Sequence, residues 1–116
     1  MWYIYLLLFL LVIYLMFRGD SSHLKKLSKE AAKWAVQAQQ DESPVLAMTH
    51  ANYAAGYLWA MKDTASPREI SRITGLDFAT FEEHIMGVQN AVTKKALKKC
   101  PDLMGEVDLY LASVAQ

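Results

Sequence analysis

The side chains that could hold a metal or move a proton centre on His50, His84, Cys100 and the Glu82-Glu83 pair. No spacing among them fits a zinc site, and Glu82-Glu83-His84 lacks the Glu-x-x-His arrangement of di-iron bundles. His50 stands out because its neighbours are apolar. Burial there would lower its pKa, and Asn52 or a tyrosine hydroxyl could satisfy it. His50 and Asn52 are therefore candidate buried polar residues. There is no phosphate loop, no nucleophile elbow and no paired-carboxylate pattern. No catalytic, metal-binding or cofactor-binding residue is expected, and the chain is not expected to be an enzyme. Cys100 is the lone cysteine, which excludes an internal disulfide and mildly favours a reducing compartment.

The elements that hold these residues read as helices. Leu24, Leu27, Ala31, Trp34, Ala35 and Ala38 recur at three and four and predict an amphipathic helix over 22–40. Lys25, Lys26, Lys29, Glu30 and Lys33 take its other side. Ser43 then Pro44 is a cap followed by a proline at the first helical position. The helix it starts, 44–62, has no fixed charge before Lys62. Ala47, His50, Ala51, Ala54, Leu58 and Met61 share one face; Val45, Met48, Asn52, Ala55 and Trp59 share the other. A helix apolar nearly all round is buried, so this one reads as the centre of a bundle. A second membrane span is the rival, and Thr49, His50 and Asn52 fit it poorly. Two apolar faces in so small a domain make Met48 and Trp59 candidate interface residues.

Ser66-Pro-Arg-Glu69 is a capping box that opens a short helix ending at Gly75. Asp77 is positioned to cap a helix over 78–99, with Phe78, Phe81, Ile85, Val88, Val92 and Ala96 inward. Lys94, Lys95, Lys98 and Lys99 sit at its carboxyl end, where the helix dipole favours cations. Leu103, Val107, Tyr110, Leu111 and Val114 form the stripe of a final helix. Ile70 to Phe81 has the pattern of a helix-turn-helix, with Ile70, Ile73, Leu76 and Phe81 at its packing positions. Asp77, Glu82 and Glu83 open the would-be reading helix, and phosphates would repel them. A structural corner is the expected role.

The first seventeen residues contain no charged side chain. As a helix they span roughly 25 Å, the short end of a membrane crossing. Trp2, Tyr3 and Tyr5 at one end, and Tyr14, Phe17 and Arg18 at the other, suit headgroups. A cleavable signal peptide would need a basic leader and small residues at the exit, and neither is present. Five positive charges between Arg18 and Gln40, against Asp20 and Glu30, predict that the carboxyl-terminal domain lies on the cytosolic side or in a virion interior. The Arg18-Gly19-Asp20 tripeptide abuts this segment and reads as coincidence. Formal charge sums to zero but falls in blocks: +3 over 18–40, −4 over 41–93, +4 over 94–99 and −3 over 100–116. A zero sum argues against a dedicated nucleic-acid binder.

The segment His50-Ala-Asn-Tyr-Ala-Ala-Gly-Tyr-Leu-Trp-Ala-Met-Lys-Asp63, followed by Ile73-Thr-Gly-Leu-Asp77, resembles uncharacterised small membrane-anchored proteins of large DNA viruses of algae and protists. The resemblance covers about half the chain. It implies a virion membrane or capsid-associated role and carries over no catalytic residue.

Together these features predict an all-α protein: a transmembrane anchor over 1–17, a basic juxtamembrane helix over 18–40, and a bundle over 41–116 that continues from it. Four to five helices with a helix-turn-helix-like corner are expected. The expected function is that of a single-pass structural or interaction protein, holding a partner or itself at a membrane. The alternative is a membrane-tethered DNA-binding protein. Expected partners are the lipid bilayer and a protein or second copy. Neither nucleic acid, a cofactor nor a small-molecule substrate is expected.

Overall fold

One helix carries both the charge-free opening and the basic amphipathic stretch. In the computed structural model, α1 runs without a break from Trp2 to Gln40. The structure describes the backbone of residues 1–103 and 109–116 and the side chains of 1–16, 22–102 and 109–116. Gly19 costs a helix interior about 1 kcal/mol relative to Ala, yet the helix passes through it. The backbone does not change at the expected boundary between residues 17 and 18.

The membrane-spanning part of the expected fold is corrected here. Among the described residues, no helix is long and apolar enough to cross a membrane. The apolar stretch whose side chains are described, Trp2–Met16, is 15 residues, or roughly 22 Å. A hydrocarbon core is about 30 Å thick. Beyond it the helix carries Lys25, Lys26 and Lys29 as exposed side chains. The single-pass location, and the cytosolic placement argued from it, fall with the anchor. The rival span over 44–61 falls as well.

The all-helical class stands. After α1 come α2 (Pro44–Thr64), α3 (Pro67–Thr74), α4 (Phe78–Lys99), a 3-10 turn (Pro101–Leu103) and α5 (Leu109–Val114), with no strand among the described residues. The local signals set these bounds. Ser43 Oγ accepts from Leu46 N at 3.4 Å, and Pro44 takes the first position of α2. Ser66 Oγ accepts from Glu69 N at 3.2 Å and donates to Glu69 Oε1 at 3.0 Å. Gly75 ends α3 at φ 77°, a left-handed value that glycine adopts at no steric cost. Asp77, expected to cap α4, makes no such bond to the backbone. Its Oδ2 accepts instead from Thr80 Oγ1 at 2.6 Å, and Phe78 N donates to Ser71 Oγ of α3 at 3.0 Å.

The second half of α1 packs along α2, and α4 lies against both, with α3 closing one end. The main core joins Leu24, Leu27, Ala31 and Ala35 of α1 with Ala54, Leu58 and Met61 of α2, Ile70 of α3, and Phe78 and Ile85 of α4. A smaller cluster of Ala38, Ala47, Ala51 and Val92 fills the far end. Alanine on facing helices lets the backbones approach closely, and α2 packs against both α1 and α4. The all-round enclosure that its apolar pattern predicts is not found: Val45, Leu46, Tyr53 and Trp59 are exposed. Leu76 departs from the expected corner packing and is 37% exposed. The expected final stripe also fails. Every described side chain of α5 is on or near the surface, and Leu103 and Val107 lie outside the described side chains.

The first half of α1 stands away from this bundle. The radius of gyration is 19.4 Å, against about 13 Å for a compact chain of this size.

Candidate functional site

His50 finds its partner across the α1–α2 corner. Asp41 is the residue on which α1 ends, and its extended backbone (ψ 131°) turns the chain toward α2. That turn lays its carboxylate beside the first half of α2. His50 Nδ1 and Asp41 Oδ2 are 2.5 Å apart, with 20% and 9% of the respective side chains exposed. Gln37 Nε2 donates to the other carboxylate oxygen at 2.9 Å. Trp34 stacks near the His50 ring at 5.0 Å between centroids, and Tyr53 meets Trp34 edge-on at 5.2 Å. The Gln37 hydrogen bond is the chief cause holding the Asp41 carboxyl below its ordinary range. Partial desolvation opposes it, and the His50 hydrogen bond and charge add to the lowering. With Asp41 ionised, His50 must donate its Nδ1–H to it.

The expected partners of His50, Asn52 and a tyrosine hydroxyl, are replaced by Asp41. Asn52 is not buried: it is exposed and its Oδ1 accepts from Gln89 Nε2 of α4 at 3.0 Å. Both polar residues tie helices together. His84 and Cys100 are exposed, and neither joins the His50–Asp41 pair. Among the described residues, no group of three or more His, Cys, Asp or Glu side chains could hold a metal ion.

A cleft of about 920 Å³ opens between this corner and the second half of α4. Ala38, Ala47 and Val92 form its floor. Lys95, Lys98 and Lys99 line it together with Glu42, Glu83 and His84, so it favours neither sign of charge.

The two expected interface residues differ. Met48 is half-buried. Trp59 is 51% exposed, with Lys62 Nζ 4.2 Å from its ring centroid. Lys62 also donates to Glu82 Oε1 of α4 at 2.8 Å, so the Trp59 face is bounded by a charged pair. That pair also occupies one of the acids on the helix-turn-helix-like corner. Asp77 is engaged with Thr80, and Glu83 remains exposed.

The largest unusual surface is the first half of α1. Leu8, Leu11 and Leu15 lie on one side and are 51–54% exposed, while Leu6 and Phe9 on the opposite side are 46% and 62% exposed. Trp2, Tyr3, Tyr5 and Tyr14 are exposed too. Of residues 2–16, Ile13 alone is half-buried. The side chains of Phe17 and Arg18 lie outside those described. This stretch is an arm that is apolar in every direction and touches little of its own bundle.

No family model matches the chain, and neither a curated protein nor a solved structure is significantly similar to it. The resemblance to small viral membrane proteins gains no support from these comparisons.

Proposed function

We propose that this chain is a structural, interaction protein: a helical bundle that presents the α1 arm to a binding partner. One observation carries the reading. An all-round apolar helix of fifteen residues, Trp2–Met16, is left uncovered by the rest of the fold. Contiguous apolar patches beyond a few hundred Å² mark interaction surfaces in soluble proteins. The bundle supplies no comparable feature for chemistry. Its His–Asp pair closes a helix corner, and its cleft mixes both charge signs.

α4 follows α3 across Gly75, and Glu83 is exposed on it and would face phosphates. That charge pattern favours a packing role over nucleic-acid binding.

Site-specific photo-crosslinking in cells tests the reading. A crosslinking residue at Phe9 should give a discrete protein adduct, and one at the exposed Arg68 should not. Equal labelling from both sites, or no protein adduct from Phe9, would remove the arm as an interaction surface.

A further inference from the structure

We draw no further inference here: the strongest candidate, the all-round apolar first half of α1 (Trp2–Met16), carries nothing beyond the interaction reading, because nothing in the structure shows what covers it.

Discussion

The same substitution at two glycines should move stability in opposite directions. Gly75 ends α3 at φ 77°, and a Cβ built there meets nothing within 4 Å. Gly75→Ala therefore introduces no clash, only a left-handed L-residue, which costs about 1–2 kcal/mol. Restricting the unfolded chain returns about 0.4–1 kcal/mol. The expected net effect is a loss of about 1 kcal/mol. Gly56 lies inside α2, is exposed, and a Cβ there also meets nothing within 4 Å. Helix interiors favour Ala over Gly by about 0.5–1 kcal/mol, so Gly56→Ala should gain that amount. For a domain of this size 1 kcal/mol is about 4 °C in Tm. The two variants should thus melt roughly 6–8 °C apart, on either side of wild type. Urea unfolding followed by far-UV circular dichroism measures both, with m unchanged. Gly75→Ala at or above wild-type stability would show that the α3–α4 turn does not hold its left-handed residue. A less stable Gly56→Ala would mean that the Gly56 surface is covered.

Three further outcomes follow from the bundle. Asp41 has a lowered carboxyl pKa in the folded state, so its contribution is present above the unfolded carboxylate pKa of about 3.9 and is lost as pH falls through the folded value; Asp41→Asn should flatten that acid limb of the stability curve, and an unchanged limb would remove the corner pair as its source. Ala54, 1% exposed between α1 and α2, should tolerate Leu poorly, with overpacking costing about 1–3 kcal/mol in urea unfolding; a neutral Ala54→Leu would contradict close approach of those helices. Trp59→Ala should lower Tm less than Ile70→Ala, because Trp59 is half in water while Ile70 is fully enclosed; an equal or larger loss would make the Trp59 face part of the core.

Much of the bundle was legible because its signals are local. Ser43-Pro44, Ser66-Pro67 and Gly75 each fix a helix end through bonds within one turn, and they fall where the pattern puts them. The inward residues of α4 likewise follow from a repeat of three and four. What was not legible depends on which elements meet. Ser71 caps the start of α4 from the neighbouring helix, a bond seven residues long in sequence. Asp41 lies nine residues before His50, and only the α1–α2 turn brings the two together. Ser28 is not part of the apolar stripe of 22–40, yet it is buried and donates to Lys25 O at 2.8 Å. The anchor expectation fails for a different reason. Apolar composition reports that a segment avoids water, and does not report whether lipid or other helices supply the cover.

Amide hydrogen exchange across residues 2–16 of the full chain tests the role of the arm most directly. An uncovered helix of this length opens readily and exchanges fast. Cover by a bound partner in cells requires these amides to be as protected as those of α2. That protection should be lost in Leu8→Glu/Leu11→Glu while α2 stays unchanged. Fast exchange of the wild-type arm in cells where the bundle is fully folded would contradict the arm as an interaction surface, as would protection that survives the two charges.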